Sequence, residues 1–231
     1  MNLVELLWEE YHHHSHNHHY SHDHPHSGNG CYHDHYDGNG HDNNHDHQHN
    51  RHYNEYEADE HVWTSPLNTA SIVLVITEIL AEMDSYNAEY FRANAVAYIQ
   101  ELEALDQAFR QMVHEAARHT VVFGDRFPFR YLTELYGLHH YAAFIGCSSE
   151  TQASPATVAF LIEKVQEENI PVVFYIEFSD RLIANVIAEA AGARLLELHS
   201  IHNVSHADFE AGVTYLELMT RNLEQLREAL N

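Results

Sequence analysis

Pro171-Val172-Val173-Phe174-Tyr175-Ile176-Glu177 is an unbroken apolar run closed by a carboxylate, and the pattern downstream of it decides the fold. A helical pattern over 180–191 stops at Gly192, and Arg194-Leu195-Leu196-Glu197-Leu198 starts another strand. A strand apolar on both faces, then a helix, then a second strand, implies a parallel sheet covered on both sides. The same alternation runs backwards. Thr120-Val121-Val122-Phe123 reads as a strand, 128–136 as a helix stopped by Gly137, and 140–144 as a second strand. Ser154-Pro155 opens a helix over 154–168 that leads into the 171–176 strand. Forwards, 207–230 reads as one final helix with Leu216, Met219, Leu223, Leu226 and Leu230 on one face. The expectation is an α/β lobe, a doubly wound parallel four-stranded sheet over 119–231.

Upstream, Ser65 and Pro66 suit the N-cap and first position of a helix over 66–83, with a broad apolar face of Ile72, Val73, Val75, Ile76, Ile79, Leu80 and Met83. A second helix, 87–118, has no Gly or Pro inside it and reads as a long strut. Residues 61–118 thus form a helix pair before the lobe.

The sheet locates the polar residues that matter. Ligands in such folds bind beyond the carboxyl ends of the strands. Gly124-Asp125-Arg126, 146–150, Glu177 and His199-Ser200-Ile201-His202 come after the four strands and converge on that edge. His199 and His202 are either a surface pair in a polar loop or metal ligands, and His199 comes first after the strand. Glu177 is a ligand or a partner of Arg126, because a buried carboxylate needs one of the two. Asp125 is a ligand, a partner of Arg130 or a helix cap. His61 is a solvent histidine at a loop exit or a ligand. His206 is a weaker ligand candidate or only a cap of the final helix. His114, His119, His139 and His140 read as structural or surface residues.

The other conspicuous stretch is a histidine tract holding 16 of the 24 histidines: His12, His13, His14, His16, His18, His19, His22, His24, His26, His33, His35, His41, His45, His47, His49 and His52. Its neighbours are Asn, Asp, Gly, Ser and Tyr, so it lacks the apolar surface to build a core. Neutral imidazole is the common ligand of Zn, Cu and Ni. Residues 12–60 therefore read as a disordered, metal-collecting loop rather than a tag, being long and irregular.

Bulk properties narrow the classes. The 231 residues carry 35 acids against 11 bases, a formal net charge of -24 with neutral histidine. Without Lys/Arg clusters, nucleic acid is not an expected partner. Cys31 and Cys147 indicate no disulfide framework. No transmembrane segment is expected, since no stretch approaches about 20 apolar residues. Residues 1–11 do not resemble a signal peptide. No nucleophile elbow, phosphate loop or His-Glu-x-x-His motif occurs, so an enzyme is not expected.

Asp59-Glu60-His61-Val62-Trp63-Thr64-Ser65-Pro66 resembles the Asp-Pro-His-x-Trp-x-x-Pro signature of the zinc/manganese solute-binding proteins of ABC importers. The preceding histidine-rich loop, the long helix, Val121-Val122-Phe123-Gly124-Asp125-Arg126-Phe127 and Gly212-Val213-Thr214-Tyr215-Leu216-Glu217-Leu218-Met219 agree in order. The resemblance covers about 12–231. It implies two βα lobes joined by a rigid helix with metal held between them, delivery to an ABC permease, an extracytoplasmic location and no enzymatic activity. It implies His61 as a metal ligand and places His199 where the family has Asp or Glu. Imidazole there favours Zn2+ over Mn2+. Glu177 and His202 are further ligand candidates.

The chain also departs from the pattern. Gly124 stands where the family commonly has a histidine. The first lobe's sheet is not recognisable, and 1–11 resembles only its end, so the expectation is one lobe plus linker, with the N-terminal lobe missing or separately encoded. The alternative function is a metal buffer or storage protein in which the tract alone binds.

Overall fold

The computed structural model describes residues 59–144 and 153–231. The expectations for 1–11, for the histidine tract, for Cys31 and Cys147 and for 146–150 lie outside the described residues.

The chain enters as a short 3-10 turn, Val62–Thr64. Helix α1, Pro66–Met83, comes next, with Ser65 Oγ accepting the Asn68 N–H at 3.2 Å and proline at the first turn. Helix α2, Ala88–Glu115, is 28 residues long, or about 42 Å. The two helices pack together. Helix α1 buries a stripe of small side chains, Ala70, Thr77 and Ala81. Its large ones face outward: Leu74, Ile76, Ile79, Leu80 and Met83 are 41–79% exposed. The burial of α2 rises along its length. Tyr90 and Val96 are exposed, whereas Leu102, Leu105, Phe109 and Met112 are buried, the last three within the core on one face of the sheet.

Strands β1 (Thr120–Phe123), β2 (His139–Ala142), β3 (Val172–Tyr175) and β4 (Arg194–Glu197) form one parallel sheet in the order β2-β1-β3-β4. Helices α3 (Arg130–Tyr136), α4 (Pro155–Glu167) and α5 (Leu182–Ala191) connect them. Alternation along the strands makes two cores. Phe123 and Phe174 meet Phe109, Met219 and Leu226 on one face. Val122 and Val173 meet Leu161, Val165, Ala184 and Ile187 on the other. This is the expected doubly wound four-stranded lobe preceded by a long helix.

Three expectations need correction. The final helix is two helices, α6 (His206–Ala211) and α7 (Tyr215–Leu230). Gly212 takes a left-handed φ of 67° and ends α6, and a capping box starts α7: the Thr214 N–H donates to the Glu217 carboxylate at 2.7 Å and the Glu217 N–H to Thr214 Oγ1 at 3.3 Å. Strand β2 begins one residue earlier and stops sooner than 140–144, so His139 and His140 lie inside it. Finally, α1 is long and apolar enough to cross a membrane by length and composition, with a mean hydropathy of 1.4 over 18 residues. The expectation that no stretch came close was too strong. Length and composition alone do not make α1 a membrane span, since core helices share both.

Candidate metal centre

The strand-exit edge is built from three short segments. His61 is 1% exposed. Its Nδ1 lies 2.7 Å from Asp59 Oδ1, and its backbone N–H donates to the same oxygen at 2.9 Å. This carboxylate sets the ring's orientation and places its proton on Nδ1, the arrangement used to hold metal-binding histidines. Burial pushes the Asp59 carboxyl up, but the two His61 hydrogen bonds outweigh it and leave the group below its ordinary value.

The segment is pinned to the lobe at several points. Tyr131 of α3 donates to the Asp59 carbonyl at 2.9 Å. Tyr215 of α7 donates to the Trp63 carbonyl at 2.8 Å. Trp63 Nε1 donates to the Ser200 carbonyl at 3.0 Å.

The second segment is the β4 exit. Asn222 of α7 clamps the His199 backbone, accepting its N–H and donating to its carbonyl, both at 2.8 Å. The His199 ring accepts the Ile201 N–H on Nδ1 at 2.9 Å. Ile201 is left-handed, φ 60°. The turn returns the exposed His202 ring to 5.7 Å from His61 and 5.9 Å from Trp63, centroid to centroid.

The third segment is Glu177 beyond β3. Both of its oxygens accept from Ser200, one from the N–H at 2.7 Å and the other from the hydroxyl. Ser200 thus supplies the partners that make its burial tolerable, a role the sequence reading had offered to Arg126 or a metal. Glu177 Oε1 lies 3.9 Å from His199 Nδ1.

The four expected ligands therefore fall into two pairs, His61 with His202 and His199 with Glu177, joined through Ser200. Among the described residues, no group of three or more His, Cys, Asp or Glu side chains stands close enough to hold a metal ion. Asp125 neither pairs with Arg130, which binds Glu134, nor caps α3. Its carboxylate accepts the N–H of Arg126 at 2.8 Å and of Ile176 at 3.5 Å, tying the β1 exit to the end of β3. Gly124 has a steric reason: a Cβ there would lie 2.4 Å from Ala184 Cα. No histidine fits at that place.

The remaining histidines lie elsewhere. His114, His119, His139 and His140 are surface residues. His140 stacks on Phe127 at 3.8 Å, and partial burial lowers its pKa. His206 opens α6 beside Glu210, while Ser205 is the cap. His139, His140, Glu134 and Glu168 line a shallow depression of ≈ 600 Å³ at the strand-entry end of the sheet.

Sequence reasoning missed Asp59 as the orienting group and Asn222 as the clamp. The Asp-x-His spacing was a usable signal for the first. Nothing marked the second.

The family model described as ZnuA, zinc-uptake complex component A, periplasmic, matches residues 3–229. The chain belongs to the ZnuA family. It is 31% identical over 175 residues to the zinc-binding lipoprotein AdcA of Streptococcus pneumoniae, covering 76% of this chain and 34% of that protein. It is 29% identical over 172 residues to the high-affinity zinc uptake system protein ZnuA of Bacillus subtilis, covering 74% and 53%. The Zn(II)-bound ZnuA-like domain of S. pneumoniae AdcA superposes with a TM-score of 0.63 at 30% identity, covering 74% of this chain and 64% of that one. The chain thus spans between about a third and a half of the curated relatives' length.

Proposed function

We propose that this ZnuA-family chain captures Zn2+ outside the cytoplasm as the solute-binding component of an ABC importer and hands it to the membrane permease. Zinc is cargo, bound and released without a chemical reaction. The observation that carries the reading is His61, buried, oriented by Asp59 and placed against a second histidine at the strand-exit edge. His199, His202 and Glu177 are the further ligand candidates there. Zn2+ is preferred to Mn2+ because the set is rich in imidazole. The outward apolar face of α1 would take a further lobe, whether encoded separately or in the same polypeptide.

Zinc competition titration of the full chain against a chromophoric chelator tests this. A tight class of sites should vanish in His61→Ala while weaker ones persist. If the tight class survives, the reading fails. The 16 histidines of the tract support a second reading, a metal buffer in which only the tract binds. Deleting 12–52 would then abolish all zinc binding.

A further inference from the structure

We infer that two phenylalanines raised beside the candidate metal centre, Phe178 beyond β3 and Phe209 on α6, are the anchors that seat the chain on its permease. This rests on the zinc-import reading above.

Backbone strain singles out this edge. Among the described residues, four that are not glycine have a positive φ: Asn169, Phe178, Arg181 and Ile201. Asparagine tolerates that conformation, whereas bulky and β-branched side chains avoid it. The other three all lie beyond the ends of β3 and β4. Strained turns persist where their surroundings hold them, and they cluster at binding sites. The turn after β3 is braced from within. The Ser179 N–H donates to the Ile176 carbonyl at 3.3 Å, Ser179 Oγ accepts the Arg181 N–H at 3.0 Å, and Asp180 Oδ1 accepts the Leu182 N–H at 3.0 Å. What the bracing raises is Phe178, 68% exposed, with Leu182 exposed behind it.

The β4 exit carries a matching projection. Val204 is exposed, and Phe209 on α6 is 75% exposed. Helix α6 leads into the start of α7, where Tyr215 holds the Trp63 carbonyl. Strands β3 and β4 are neighbours, and Glu177 binds Ser200 across their exits, so both projections stand at one edge of the sheet. Single exposed apolar residues are ordinary, but a group of large ones on adjoining loops marks an interaction surface.

Charge narrows the partner. The chain carries a net charge of -24, yet the charges around the two rings are matched locally. Asp208 binds Ser205 and Arg221, Glu210 stands beside His206, and Asp180 is followed by Arg181 over the Tyr175 ring. Aromatic residues with few charges among them form the centre of protein interfaces. An anionic lipid surface would repel so acidic a chain. The further lobe has its own place on α1, while zinc leaves from the strand-exit edge, where the permease must meet it. The face that fits has apolar pockets for two phenyl rings and basic residues around them, complementary to the acidic remainder.

The test uses the zinc-loaded full chain and, as probe, the zinc-importer permease with its ATPase subunit from the same genome, held in neutral-lipid nanodiscs. Phe178→Asn suits a left-handed backbone and Phe209→Gln suits a helix, so the pair removes both rings and keeps the fold. By interferometry the double variant should raise the Kd for the permease about tenfold or more. Zinc competition titration and thermal melting should match the parent. Val96→Gln, exposed on α2, should leave all three unchanged. Unaltered permease binding in the double variant overturns the inference and leaves the zinc reading standing. So does a loss of zinc affinity of the same size, which would assign the rings to the metal centre. Reduced self-association in sedimentation velocity with permease binding intact gives the patch to a second copy and overturns it too. A parent chain that does not bind the permease removes both readings.

Discussion

Asp59 makes His61 an oriented ring rather than merely a buried one. Replacing it by Asn leaves the Tyr131 contact to the Asp59 carbonyl in place but removes the carboxylate beside Nδ1. Zinc affinity should fall about 10–100-fold, as for other partners of metal-binding histidines, measured by competition titration. The same variant has a signature in pH. The folded pKa of Asp59 lies below its ordinary value of 3.8. Its ionised form therefore contributes stability above that value, and the contribution disappears as pH falls through the lowered folded pKa. Thermal melts should separate parent from Asp59→Asn near neutral pH and converge at the acid end. A constant gap would show that the carboxylate is not the cause. Asn222 is the other decisive single residue. Its replacement by Ala strips two buried backbone groups of their partner, at about 2–4 kcal/mol by urea denaturation. His61, His199, His202 and Glu177 were legible as candidates because strand exits and a family-like motif mark them. Their pairing was not, because it depends on the sign of one φ angle at Ile201, which an isoleucine does not advertise.

At the level of elements, the exit of β1 packs tightly against α5. Gly124 follows the first strand and lies against Ala184, with an added Cβ 2.4 Å from Ala184 Cα and 2.9 Å from its backbone nitrogen. A methyl group there must push helix from sheet. Gly124→Ala should destabilise the lobe by about 1–3 kcal/mol, read from the shift in denaturation midpoint at constant m-value. Apolar runs and their Gly or Pro stops made the four strands and most helices legible. The break between α6 and α7 was hidden because apolar residues at helical spacing continue on both sides of it. Gly212 and the Thr214-x-x-Glu217 box carried the information, and there local capping outweighs periodicity. Thr214→Ala should cost about 0.5–2 kcal/mol. Because α7 carries Asn222, the same variant should also weaken zinc binding, if less than Asp59→Asn does.

Across the whole of the described chain, the uneven feature is α1. It packs on α2 through Ala70, Thr77 and Ala81, and it turns Ile79, 51% exposed, and Met83, 79% exposed, away from every core. Neither side chain belongs to the two apolar clusters that flank the sheet. The fold of 59–231 therefore gains little from them, while a contiguous apolar face of this kind drives association. Replacing both by Lys places like charges one helical turn apart on a surface they can share with solvent. The folding free energy should change by less than about 1 kcal/mol, measured by urea denaturation. Self-association at high protein concentration, followed by sedimentation velocity, should fall. A stability loss the size of a core deletion would instead place the face inside a packed interface of this chain. Unchanged sedimentation with unchanged stability would mean that α1 is not where the protein meets its neighbours, and the additional lobe proposed for that face would have to dock elsewhere.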